Sequence, residues 1–139
     1  MGAGKRFSAH VLAGDDPAVA SLAALEAAED FAHAVGLDAR GGARLAVVVE
    51  ELVSNAVRHG AEAGMIAIEL TLDADDGEVA LVLTDNGVAF DPTADRNFSG
   101  PDADTGGGVG LALVKAWANT FAYRRDDGRN VVELRLRLG

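Results

Sequence analysis

The stretch Leu45 to Gly60, LAVVVEELVSNAVRHG, is amphipathic and carries a carboxylate and a carboxamide four positions apart, at Glu51 and Asn55. On an α-helix successive residues advance about 100°, so the two stand roughly 40° apart on one surface, one turn above the other. Leu45, Val48, Leu52, Ala56 and His59 fall beside that pair, which puts it at the edge of a buried stripe where both side chains can reach one ligand. Glu50 projects elsewhere. A plain core helix whose Glu and Asn are merely solvated meets the same pattern, so the flanking chain has to decide.

Upstream, Phe7, Ala9 and Val11 alternate with polar or small residues and predict a first strand ending before the Asp15-Asp16-Pro17 turn. Pro17 suits a first helical turn. Val19, Leu22, Leu25, Ala28 or Glu29, Ala32 and Val35 then recur at helical spacing up to Gly36, and predict the buried face of a first helix. Asp38 is the candidate cap of the central helix, whose first turn is weakened by Gly41-Gly42.

Downstream, Gly60 to Gly64 closes that helix and Met65 to Leu72 (MIAIELTL) reads as a strand. Asp73 to Gly77 (DADDG) reads as a hairpin turn, with Glu78 to Thr84 as the next strand. This acidic turn is much shorter than the roughly twelve-residue calcium loop and lacks its terminal Glu, so it is read as solvated. The following loop, Asp85 to Gly108, is too long for an idle connection and has the length of a lid or binding loop. Val109 to Asn119 forms a third major helix opened by glycines, followed by strands Thr120 to Arg125 and Val131 to Leu138 around a turn at Asp126 to Arg129. Trp117 and Phe121 are read as core. The order βααββαββ lacks the regular alternation of a doubly wound fold. It predicts an α+β protein, a two-layer α/β sandwich with a largely antiparallel mixed sheet covered on one face by helices.

The 139 residues suit a single domain that buries roughly 70% of the surface its unfolded chain exposes. Without cysteine there is neither a disulfide framework nor a thiolate metal site, and a reducing cytoplasm is the simplest compartment. No stretch has the length of a membrane span, no signal peptide is read at the start, and Arg6 stands where a myristoylation pattern needs Ser or Thr. A net charge of −10 with scattered basic residues argues against a nucleic-acid surface, so an anionic ligand has to be held locally.

Two further segments carry chemistry. In Asp85-Asn86-Gly87-Val88-Ala89-Phe90-Asp91-Pro92 a carboxylate at a strand end can accept a hydrogen bond from an exocyclic amine, and Gly87 lets a flat ring approach the backbone; the same residues also make an ordinary turn. Gly106-Gly107-Gly108-Val109-Gly110-Leu111 runs into a helix and exposes backbone N–H groups at its positive end, where phosphates bind, although a flexible hinge has the same composition. Neither dinucleotide-binding nor Walker A spacing is present.

Taken in order, ELVSNA (51–56), DNGVAFDP (85–92) and GGVGLALV (107–114) resemble the N, G1 and G2 boxes of the GHKL ATPases, the superfamily of gyrase, MutL and the histidine kinases. The small size, EELVSNAVRHG and the FDP after the G1 glycine look more specifically like anti-sigma-factor serine kinases of the RsbW type. The resemblance covers nearly the whole chain. It implies the Bergerat fold, ATP and Mg2+ as cofactors, Glu51 as general base and Asn55 as metal ligand. It further implies Asp85 on the adenine amino group, Gly87 along the base, and Gly107, Gly108, Val109, Gly110 and Leu111 at the phosphates. The partners it implies are a sigma factor, a STAS-domain antagonist phosphorylated on serine, and a second copy in a homodimer.

Ala89 departs from superfamily members with a second G1 glycine, in keeping with the serine-kinase branch. His59 is read as a structural or helix-end residue, while Arg58 and Arg96 could approach the nucleotide or a partner, with no local pattern that fixes either role. A module that binds ATP without turnover is the competing reading. A detached histidine-kinase domain has no phosphoacceptor, because His33 in AEDFAHAV lacks the expected acidic neighbour and proline.

Overall fold

The computed structural model describes residues 4–12, 15–60, 65–94 and 107–137. Strand β1 (Gly4–Val11) is followed by helices α1 (Pro17–Val35) and α2 (Ala39–Gly60), and then by the hairpin of β2 (Ile66–Asp75) and β3 (Glu78–Asp85). Helix α3 (Gly107–Trp117) leads directly into a second hairpin, β4 (Ala118–Asp126) and β5 (Arg129–Arg137). The sheet order is β1-β2-β3-β5-β4, and all four of these pairings are antiparallel. The α+β class and the element order therefore match the sequence reading, with no parallel pair among the described strands.

Alternation builds the layer under the helices. Ile66, Ile68, Leu70 and Leu72 of β2, Val79, Leu81 and Leu83 of β3, and Val132, Leu134 and Leu136 of β5 point to the buried face. They meet Leu45, Val48, Val49, Leu52 and Val53 of α2 in one continuous core. Each such side chain, fully buried, contributes about 1.5–3 kcal/mol. That packing holds α2 flat on the sheet, so its Glu51–Asn55 edge is presented at one end of the layer.

The expected cap Asp38 and the expected stop Gly36 hold, and Asp16 in the expected turn proves to be the cap of α1. Asp16 accepts from the Ala18 N–H at 3.0 Å and Asp38 from the Gly41 N–H at 2.7 Å, while Gly36 closes α1 with φ +75. The face of α1 is corrected in part: Ala28 and Ala32 of the expected stripe are buried, but its first residues are not. Val19 and Leu22 are 69% and 60% exposed, whereas Ala24 is 0% exposed and Ala20, Ala27, Ala28, Phe31 and Ala32 are buried with it. Small side chains bring α1 close to its neighbours: a Cβ built on Gly42 of α2 would lie 3.8 Å from the Ala32 Cβ. The larger residues are left on the outer side.

Both hairpins turn more tightly than expected. Asp76-Gly77 and Asp127-Gly128 have positive φ at both positions, the type I′ geometry that matches strand twist, so Asp73 to Asp75 pair within β2 and Asp126 within β4. Helix α3 begins at Gly107 rather than Val109, and β4 follows it with a bulge between Ala118 and Thr120. The expected loop residues Arg96 and Gly106, the helix exit 61–64 and Leu138 lie outside the described residues.

Candidate functional site

On α2 the spacing of Glu51, Asn55 and Arg58 stacks three polar side chains along one edge. The Asn55 amide is 3% exposed and fixed at both ends. Its Nδ2 donates to the Glu51 backbone carbonyl at 2.8 Å and to the Glu51 carboxylate, and its Oδ1 accepts from Arg58 Nη2 at 3.1 Å. Burial pushes the Glu51 carboxyl above its ordinary value; the Asn55 hydrogen bond and the Arg58 charge pull it back, and Glu50 adds to the rise. The carboxylate lies against α3, since a Cβ built on Gly110 would overlap it and come within 2.8 Å of Glu51 Cγ. Gly110 is thus the point where the α3 entrance can approach α2.

Asp85 ends β3 and is 6% exposed. Its Oδ1 accepts from the Gly87 N–H and from Asn130 Nδ2, both at 2.9 Å, which leaves Oδ2 as the oxygen able to accept from a ligand. Burial raises this carboxyl too, against the lowering effects of Asn130, Gly87 and Arg125.

Asn130 was not legible as a site residue. The register sets it opposite Asp85 on β3 and Arg125 on β4, and it is 3% exposed. Its Nδ2 also donates to the Val88 carbonyl at 2.8 Å, while its Oδ1 accepts from Tyr123 Oη at 2.6 Å, Arg125 Nη1 at 3.1 Å and the Phe90 N–H at 3.2 Å. Arg125 Nη1 donates to the Gly87 carbonyl at 2.8 Å. Three donors around one oxygen exclude the flipped amide, so the turn after β3 is tied to the β4–β5 hairpin in a single arrangement. On its other side Phe90 stacks on His59, with centroids 4.0 Å apart and planes at 9°.

Between these groups opens a shallow cleft that is continuous with solvent. Leu52 and Ala56 of α2, Leu83 and Val132 of the sheet, and Val88, Phe90 and Pro92 of the turn form apolar walls, with Asn55, Asp85 and Asn130 as the polar lining. An apolar slot with a few converging polar groups is the usual form of a small-molecule site. Two of the three sequence segments therefore meet directly, at Asn55 and Asp85, and the third joins through the Glu51–Gly110 contact. Gly87 is taken up by the turn, its N–H on Asp85 and its carbonyl under Arg125, and Leu111 is a core residue. Gly107 and Gly108 form the first turn of α3, where backbone N–H groups lack partners within the helix.

The family model of the histidine kinase-like ATPase domain matches residues 15–136. The chain belongs to this family. The match takes in every site residue described above. Among individual proteins, the chain is 36% identical over 96 residues to the serine/threonine-protein kinase BtrW of Bordetella bronchiseptica, covering 65% of this chain and 66% of that protein. It is 30% identical over 93 residues to the serine-protein kinase RsbW of Staphylococcus epidermidis, covering 59% of this chain and 57% of the other. The matched part thus spans somewhat less than two thirds of each relative. Within the histidine kinase-like ATPase fold, the cleft lies between α2, the end of β3 and the turn that follows it.

Proposed function

We propose that the chain is a cytoplasmic, ATP-dependent protein serine/threonine kinase that also serves as an anti-sigma factor, phosphorylating a STAS-type antagonist of that factor and acting as a homodimer. The observation that carries the reading is the convergence of Asn55 and Asp85 on one apolar cleft, with Glu51 beside them against Gly110. The names of the two relatives support kinase chemistry on serine. The sigma factor, the antagonist and the dimer come from the resemblance of the boxes.

The residues fit the implied ligands. Asp85 Oδ2 suits the exocyclic amine of a flat purine between Val88 and Leu52. The N–H groups at the start of α3, from Gly107 to Leu111, suit phosphates. No group of three or more His, Cys, Asp or Glu gathers among the described residues, so Mg2+ would rely on Asn55 Oδ1 with phosphate and water oxygens. Bound Mg2+-ATP supplies an electrophilic γ-phosphoryl group. Glu51 would take the proton of the attacking serine hydroxyl as the serine oxygen replaces ADP on the γ-phosphorus, and desolvation makes it a stronger base than an exposed carboxylate. Asn55 holds that carboxylate in place.

A second reading has one observation in its favour. Glu51 is engaged by Asn55 and packed against Gly110, an arrangement suited to a module in which ATP shapes a protein-binding surface without turnover. Incubating the protein with γ-labelled ATP and a STAS-type antagonist separates the two. Label on serine, lost in Glu51→Ala while nucleotide affinity persists, supports the kinase. Tight ATP binding without transfer supports the module.

A further inference from the structure

The seam between α2 and α3 carries a stripe that the kinase reading leaves without work. Two contacts set these helices antiparallel: Arg44 Cζ lies 5.1 Å from the centre of the Trp117 ring, and Glu51 lies against Gly110. Val47 of α2 therefore stands level with Leu113 and Val114 of α3. Val114 is fully buried, but Val47 and Leu113 are each 37% exposed, so the seam is apolar at its surface. Arg40, Arg44, Val47 and Glu51 follow one another at the spacing of a single helical stripe. Measured along the axis from Glu51, Val47 is about 6 Å away and Arg44 about 10 Å, with Arg40 one further turn beyond. The chain has 22 acidic and 12 basic residues, yet neither Arg40 nor Arg44 has an acidic partner among the described residues. The contact of Arg44 with Trp117 uses the face of the guanidinium and leaves its N–H fork for a carboxylate.

We propose that this seam is the docking track for the serine-bearing segment of the protein substrate, which lays an apolar side chain between Val47 and Leu113 and acidic side chains on Arg44 and Arg40. This rests on the kinase reading above and gives the chemistry of its substrate. Glu51 closes the track at one end, so a segment anchored along it brings a serine hydroxyl to the base. A protein of net charge −10 repels an acidic partner, and two unpaired arginines reverse that sign locally, within a screening length of about 8 Å. Complementary charge of this kind sets encounter and register more than total affinity. The alternative is that single exposed apolar residues and surface arginines need no partner. In that case substrate recognition is indifferent to Arg40 and Leu113.

The test is steady-state transfer from γ-labelled ATP to a STAS-type antagonist by the wild type, Arg40→Glu, Arg40→Lys and Leu113→Gln, each also titrated with ATP by calorimetry and sized by sedimentation. Both positions face outward on helices, and an acid in the first turn of α2 suits the helix dipole, so the fold persists in all three variants. Arg40→Glu should raise the KM for the antagonist about fivefold or more, with kcat and ATP affinity unchanged. Arg40→Lys keeps the charge and should stay within about twofold of the wild type. Leu113→Gln should raise the same KM about threefold or more, the scale of a partly lost apolar contact. Added salt should raise the KM of the wild type more steeply than that of Arg40→Glu. A KM unchanged in both Arg40→Glu and Leu113→Gln overturns the proposal, as does an equal rise in Arg40→Glu and Arg40→Lys. A loss confined to ATP affinity also overturns it, and so does a shifted monomer–dimer balance without a change in KM, which assigns the seam to a second copy of this chain. Wild-type protein that binds ATP but labels no serine overturns the kinase reading and this proposal with it. Serine labelling with a KM indifferent to the variants overturns this proposal alone.

Discussion

Replacing Gly110 by Ala tests the α2–α3 junction, because the added Cβ falls on the Glu51 carboxylate and leaves the rest of α3 untouched. The atoms in the way are the end of a flexible side chain, so Glu51 swings aside and the fold persists. Relief requires the carboxylate to move by more than about 1 Å, enough to misplace a catalytic group. The stability change is a small difference. Losing the Asn55 to Glu51 side-chain bond costs about 1.5–3 kcal/mol, and Ala in place of Gly inside a helix returns about 1 kcal/mol. The net loss of roughly 0.5–2 kcal/mol lowers the melting temperature by about 2–6 °C. Phosphoryl transfer should fall far more, by about 10²-fold or beyond, the range supplied by a positioned base. The assay pairs a thermal melt with transfer of labelled phosphate to the serine substrate, and compares Gly110→Ala with the double variant that adds Glu51→Ala. Loss of the base should add little to a variant whose base is already displaced. Wild-type transfer by a well-folded Gly110→Ala, or two independent multiplicative losses, would refute the placement of Glu51.

Three other outcomes are expected. Asp85 binds more protons folded than unfolded, because its folded pKa is raised; stability therefore falls as pH rises from the unfolded value through the folded one. Asp85→Asn, which keeps an oxygen for Gly87 and Asn130, should melt higher than wild type near neutral pH, with the gain fading as pH drops toward about 4, and should lose ATP binding by calorimetry. A melting temperature unchanged near neutral pH would contradict the buried charge. Asn130→Ala leaves the Phe90 N–H, the Val88 carbonyl and Asp85 each short of a partner, so chemical denaturation should show a loss of roughly 3–5 kcal/mol; a loss under about 1 kcal/mol would contradict the network. The transfer rate should fall on acidification as Glu51 protonates, with its acid limb above that of an exposed glutamate, and Arg58→Met should move that limb further up. A limb that ignores Arg58 would remove its charge from the surroundings of the base.

Much of this was legible in the chain. The i, i+4 spacing of Glu51 and Asn55, the strand-end position of Asp85 and the helix limits at Asp38 and Gly36 are local features, and local geometry follows from local sequence. What escaped reading depends on partners far along the chain. Asn130 follows a hairpin turn and looks like a turn residue until the β3–β5 register sets it beside Asp85. The face of α1 escaped for a different reason: Val19 and Leu22 share the helical period with Ala20 and Ala24, and hydrophobicity favours the larger pair, while close helix contact selects the smaller. The hairpin limits shifted because Asp-Gly at positive φ turns the chain in two residues, leaving flanking aspartates free to pair at the ends of strands. Arg58 was visible as a charge, but its bond to the Asn55 oxygen depends on side-chain rotamers.

The central claim is that Asn55, Asp85 and the start of α3 serve one nucleotide. The most direct measurement is a crystal structure of the protein with Mg2+ and a non-hydrolysable ATP analogue. The expected result has the purine amine on Asp85 Oδ2 and the phosphates between Asn55 and the N–H groups of Gly107, Gly108 and Gly110. A nucleotide bound away from Asp85, or phosphates remote from the α3 entrance, would contradict it.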